Sequence, residues 1–70
     1  MKLGTYRHSK TGNLYKVIGV AKHSETFEEF VVYQALYPNP VSKLWIRPKR
    51  MFLEKVIVNG KEVNRFQFVE

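Results

Sequence analysis

The sequence predicts a mostly β protein: a small SH3-like barrel of about five antiparallel strands with one short helical turn. Three observations carry this. β-Branched and aromatic residues are enriched in most segments. Gly, Asn and Pro recur between those segments at the short spacing of tight turns. A single proline-led stretch, Pro48 to Phe52, stands before the closing strand as a helical turn would. Seventy residues make one domain, residues 1–70. A chain of that length buries only roughly 60% of its unfolded surface, so its aromatics must supply much of the core.

The first strand is expected over Gly4 to Ser9, with Lys10-Thr11-Gly12-Asn13 turning the chain; Gly12 and Asn13 suit the positive φ of a tight hairpin. The second runs from Leu14 to His23. The third covers Glu29 to Tyr37, with Phe30, Val32, Gln34 and Leu36 on one face and Val31, Tyr33, Ala35 and Tyr37 on the other. Both faces are largely apolar, as in a central strand. Pro38-Asn39-Pro40 ends it, because proline donates no ladder hydrogen bond and restricts the residue before it.

Leu44 to Arg47 alternates as a fourth strand. Pro48 then starts the helical turn, and Met51 and Phe52 are expected to plug one end of the core; a longer helix, Pro48 to Lys55, is the competing reading. Val56-Ile57-Val58, Asn59-Gly60 and Lys61-Glu62-Val63 form the strongest hairpin signal, with Asn59-Gly60 as a type I′ turn. Phe66 and Phe68 repeat at period two, which points one aromatic face of the last strand at the core. A near-closed barrel is expected because it protects the sheet edges. No repeat, low-complexity tract or linker is apparent.

Hydrophobic residues make up 44% of the chain and aromatics 14%, and there is no cysteine, so disulfides and thiolate metal sites are excluded. The N-terminal stretch lacks the apolar segment of a signal peptide, and no run approaches the roughly 20 apolar residues of a spanning helix. A cytoplasmic domain with no membrane partner is the expectation. The net charge of +6 is unevenly spread. Residues 1–24 hold five Lys and Arg and no acid, and Lys43, Arg47, Lys49 and Arg50 form a second basic group, whereas Glu25, Glu28 and Glu29 sit together. Such asymmetry attracts nucleic acid, anionic lipid or an acidic protein, and equally keeps a small domain soluble.

Several segments taken together resemble a known family: Tyr6-Arg7-His8, Tyr15-Lys16-Val17, Ala21-Lys22-His23-Ser24-Glu25-Thr26, Val31 to Tyr37, Leu44-Trp45-Ile46-Arg47-Pro48 and Met51-Phe52. The chain is similar over nearly its whole length to the small bacterial proteins of the domain of unknown function 1653 family. His23-Ser24-Glu25-Thr26 and Trp45-Ile46-Arg47-Pro48 are the most diagnostic segments. The resemblance implies a stand-alone cytoplasmic domain and transfers no functional residues, since no activity defines the family.

Read for chemistry, the residues favour binding over catalysis. His8, His23 and Glu25 are the only trio suited to zinc, without the spacing of a known motif, and no metal or cofactor is expected. Ser24 between His23 and Glu25 cannot form a triad in an extended chain, because neighbours point to opposite sides; turn hydrogen bonding explains it better. There is no Asp, no phosphate-binding glycine loop and no helically spaced carboxylate pair, so an enzyme is disfavoured, a minor role through His8, His23 or Glu25 being the residual case. The candidate site is an aromatic and basic face of Tyr33, Trp45 and Arg47, extended by Tyr6, His8 and His23. Rings beside cations suit base stacking after electrostatic capture, which makes RNA or another nucleic acid the expected partner. A protein-interaction adaptor taking a peptide on the same face is the alternative. The competing structural use of these rings is core, which a domain this small also needs.

Overall fold

The computed structural model describes residues 1–70. Four strands, β1 (Gly4–His8), β2 (Leu14–Lys22), β3 (Glu29–Ala35) and β4 (Leu44–Pro48), form an antiparallel meander. A one-turn helix, α1 (Lys49–Phe52), a hairpin of β5 (Lys55–Val58) and β6 (Lys61–Asn64), and a last strand, β7 (Phe66–Phe68), follow. β7 returns to β1, setting Tyr6 opposite Phe68 and His8 opposite Phe66. The result is a five-stranded sheet ordered β4-β3-β2-β1-β7 and a separate two-stranded ladder of β5 and β6. The protein is therefore mostly β with one helical turn. Its ladder stays open, with β4 and β7 as edges that share no hydrogen bonds.

Side chains bring those edges together. Phe66 on β7 stacks on Phe52 of α1 with ring centroids 4.1 Å apart and planes 1° apart, and the Arg47 guanidinium on β4 lies 5.6 Å from the Phe66 centroid. Tyr6, Val17, Val31 and Tyr33 complete the buried cluster, with Tyr15 and Trp45 packed against it. Phe52 is only 1% exposed, as expected of a plug; Met51 beside it is half-buried. Phe66 is buried, whereas Phe68 on the same face is 42% exposed at the rim of an edge strand, edge-on to Tyr6 and with the Lys2 ammonium 5.0 Å over its ring.

Several boundaries differ from expectation for local reasons. β3 stops at Ala35 rather than Tyr37; the Leu36 N–H still donates to the Leu14 carbonyl at 3.0 Å, and Pro38, with no N–H to donate, cannot carry the ladder on. A bulge in β2 shifts the register between Val17 and Gly19, leaving Ile18 as the extra residue; a glycine inside a strand is the sequence sign of such a site. The longer helix is excluded, because Leu53 caps α1 and β5 begins at Lys55. Pro48 ends β4 opposite Phe30 and supplies the extended residue before the helix. Asn59 and Gly60, at φ 52° and 76°, make the type I′ turn; Gly12 has positive φ but Asn13 does not.

A short repeat is present after all. The loops joining β1 to β2 and β2 to β3 are built alike, on His8-Ser9-Lys10-Thr11 and His23-Ser24-Glu25-Thr26. In each, imidazole Nδ1 accepts two backbone N–H groups at 3.2 and 3.4 Å, from Lys10 and Thr11 in the first and from Glu25 and Thr26 in the second. Each threonine hydroxyl accepts the N–H two residues on, from Asn13 or Glu28, at 3.2 Å. The fifth residue, Gly12 or Phe27, is left-handed and donates its N–H to the histidine carbonyl at 2.8 Å. An accepting Nδ1 carries no proton, so each loop requires a neutral ring with its hydrogen on Nε2.

Two outcomes follow from this packing. Phe52→Ala removes the ring on which Phe66 stacks and is expected to cost about 3–5 kcal/mol, much of the stability available to a domain of this size; urea unfolding followed by circular dichroism measures it. The second concerns His8, whose pKa is held below its ordinary value, first by burial and then by the Arg65, Arg47 and Lys10 charges. The unfolded chain thus binds this proton more tightly. The stabilisation from neutral His8 is complete above the unfolded pKa of about 6.5 and disappears as pH falls through the lower folded value. His8→Asn keeps an uncharged acceptor, so its stability should fall less than that of the natural protein between about pH 7 and about pH 5; parallel losses in the two would remove His8 as the cause.

Candidate functional site

Antiparallel register sets Tyr33 beside Val17 on one side and Trp45 on the other, and Tyr15 beside Ala35. Neighbours across a ladder share a face, as do residues two apart along a strand, so Tyr15, Tyr33, Trp45 and Arg47 project from the same side of the sheet. Leu44 and Ile46 alternate to the opposite side, where they are 54% and 64% exposed. The loop after β3 then folds Tyr37 and Asn39 over the same face. Together Tyr15, Tyr33, Tyr37, Asn39, Trp45 and Arg47 line a cleft of 230 Å³.

A network of hydrogen bonds holds the cleft walls. The Tyr15 and Tyr37 hydroxyls share a bond of 2.9 Å, and Asn39 Nδ2 donates to the Tyr37 hydroxyl at 3.2 Å. Asn39 Oδ1 accepts the Val41 and Ser42 backbone N–H groups at 3.0 and 3.4 Å, which fixes the amide in place. Indole Nε1 of Trp45 donates to the Ser42 carbonyl at 3.1 Å, so the ring is held from its polar edge. Arg47 Nε donates to the Tyr33 hydroxyl at 3.4 Å. Burial, and next the bond to Tyr37, push the Tyr15 phenol up to about 12. The phenol thus stays protonated well into the alkaline range.

Arg47 is the one cationic residue lining the cleft, and no carboxylate pairs with it. The ion pairs are Lys49–Glu29, Arg50–Glu28 and Arg65–Glu54, at 3.5, 2.5 and 3.0 Å, and none includes a residue of the cleft. Its guanidinium rests on the Phe66 face. The electrostatic cost of a proton on His8 traces to Arg65, Arg47 and Lys10, so these cations act on the same end of the molecule. Arg65 there keeps a buried Nε without a hydrogen-bond partner.

The residues singled out from sequence divide into three groups. Tyr33, Trp45 and Arg47 meet around the cleft, although Tyr33 is 5% exposed and offers it little more than its hydroxyl edge. Tyr6 does not join them: it is a core residue, 6% exposed, donating its hydroxyl hydrogen to the Lys2 carbonyl at 2.6 Å. His8 flanks the site edge-on to Phe66 at 4.9 Å. His23 lies at the far end of β2, tilted against Phe30 at 6.3 Å, separated from His8 by the nine residues of that strand. Both histidines have Nδ1 committed to their loops, and no three His, Asp or Glu side chains converge. Sequence reasoning missed Tyr15 and Asn39 as site residues; Pro-Asn-Pro after an aromatic strand was the available sign that a polar side chain would turn back over it.

The tyrosine pair offers a direct check. Tyr37→Phe removes the hydrogen bond that helps hold Tyr15 protonated, so the Tyr15 phenol should titrate below about 12 yet remain above its ordinary value, because burial is the larger cause. Tyrosine-selective NMR across alkaline pH reads this, and an unmoved Tyr15 would show the pair to be unimportant.

Comparison with known proteins places the sequence. A crystal structure of a DUF1653 protein from Bordetella bronchiseptica superposes with a TM-score of 0.91 at 35% identity, over 99% of this chain and 87% of that one. Comparison with curated proteins finds no match. The family described as protein of unknown function (DUF1653) matches residues 4–68, nearly the entire strand framework and the cleft, and the chain belongs to that family.

Proposed function

We propose that this protein is a small cytoplasmic binding module that takes single-stranded nucleic acid, RNA in particular, at the cleft between Trp45, Arg47 and the tyrosines. One observation carries the reading: Arg47 is a cation without a carboxylate partner, set in a wall of aromatic side chains. A base stacks on an aromatic face at low entropic cost, while a guanidinium attracts the adjoining phosphate and can bond it in two places. The +6 charge supplies long-range attraction. The same reading takes the curled sheet as an SH3-like barrel, its two edges drawn together over Phe66 rather than joined by a ladder. A peptide held in an aromatic groove is the alternative use of the same residues.

Trp45 is the only tryptophan, so its fluorescence reports from the cleft itself. Titration with a short single-stranded RNA should quench it, with affinity falling steeply as salt rises because phosphate contacts release counterions. Arg47→Gln should weaken binding and reduce the salt slope by about one. Loss of a stacked base should cost about 1–3 kcal/mol in Trp45→Leu, read by NMR since the fluorophore is gone. Salt-insensitive binding of a proline-rich peptide that also depends on Trp45 would assign the cleft to the adaptor reading, and silence towards RNA would remove the nucleic-acid reading.

A further inference from the structure

The two histidine loops differ at the position that matters most to backbone conformation. The left-handed residue is Gly12 in the first loop and Phe27 in the second, at φ 76° and 61°. Glycine adopts this conformation without steric cost, whereas a side chain with a Cβ is strained there. Burial does not compensate Phe27, which is 69% exposed. The loop thus keeps a strained backbone and an apolar ring in water where the same architecture elsewhere uses glycine. Strain maintained without an internal benefit is a sign of a site.

The ring overlooks a concavity of 480 Å³ whose other apolar residue is Leu53, itself 52% exposed. Charges of both signs line it: Glu28 pairs with Arg50 at 2.5 Å, Glu29 pairs with Lys49 at 3.5 Å, and Lys22 is unpaired. Copies of a protein carrying +6 repel one another over most orientations. This face is nearly balanced, and each sign has its complement within the same patch. That is the requirement of a two-fold contact, in which one surface meets itself and residue i touches j while j touches i.

We propose that two copies of this chain associate through this face, Phe27 of each packing against Leu53 of the other, with Glu28 and Arg50 exchanging partners across the two-fold axis. The apolar contact comes from residues that the monomer leaves exposed, and the ion pairs already within each chain need only re-pair. Two exposed apolar side chains per copy make a small interface beside the roughly 800 Å² per partner of stable complexes, so the dimer is weak and depends on concentration. The contact sits at the end of the β2–β3 hairpin remote from the aromatic cleft, and does not rest on what that cleft binds.

Sedimentation equilibrium over a wide concentration range tests this, with F27G as the main variant. The natural chain should shift from monomer to dimer as concentration rises. F27G should stay monomeric over the same range while its thermal midpoint rises by a few degrees, since the backbone strain is relieved. E28R and R50E should each weaken association at least tenfold, and the double variant E28R/R50E should recover it. A natural chain that remains monomeric at its highest soluble concentration, or an F27G variant that dimerises as strongly, overturns the proposal.

Discussion

Phe66 lies face to face on Phe52, 4.1 Å away, is met edge-on by Tyr15, Tyr33 and His8, and carries the Arg47 guanidinium over it. These groups come from β7, α1, β2, β3, β1 and β4, so one ring receives a side chain from every strand of the main sheet and from the helix. The open ladder does not join β4 to β7; this cluster does. Stacking against Phe52 packs the ring, and the aromatic quadrupole makes a cation a favourable neighbour for it. Arg47 is held at the cleft by this contact and by its hydrogen bond to the Tyr33 hydroxyl. Packing and candidate chemistry therefore meet in the same side chain.

A domain this small has little room to separate structural from functional residues. Eight of its seventy residues are buried, and four of those are aromatic: Tyr6, Tyr33, Phe52 and Phe66. Tyr33 gives its ring to the core and its hydroxyl to the cleft rim. Both histidines, which as free side chains would be candidates for acid–base or metal chemistry, serve as acceptors for backbone N–H groups in tight loops. Glu28, Glu29 and Glu54 pair with Arg50, Lys49 and Arg65, and Arg47 at the cleft has no acidic partner. What the arrangement places at the cleft is a set of rings and one cation.

The local features were readable wherever the physics is local. Asn59-Gly60 forces a type I′ turn through its own backbone preferences, Pro38 ends β3 through its ring, and alternation puts Trp45 and Arg47 on one face of β4. The histidine loops were also written in the sequence, as His-Ser-x-Thr at residues 8 and 23, but their meaning depends on an imidazole acting as a turn acceptor, which the residue types alone do not announce. The Ile18 bulge was marked only by Gly19. Tyr15 and Asn39 were not legible as site residues, because their roles depend on partners Tyr37 and Ser42 brought near by the path of the chain.

From the sequence by itself came the β class, the turns, the helical turn before the closing strand, and the trio Tyr33, Trp45 and Arg47, because period, turn chemistry and charge act between near neighbours. Tertiary structure alone decided which aromatic became core and which became wall: Tyr6 went inside, Tyr37 and Tyr15 closed a cleft, and Phe27 stayed in water. It also decided that the ladder stays open and that Arg47 lacks an acidic partner. Those outcomes depend on contacts between residues far apart in the chain, whose geometry is set by the sum of all packing at once and by no segment alone.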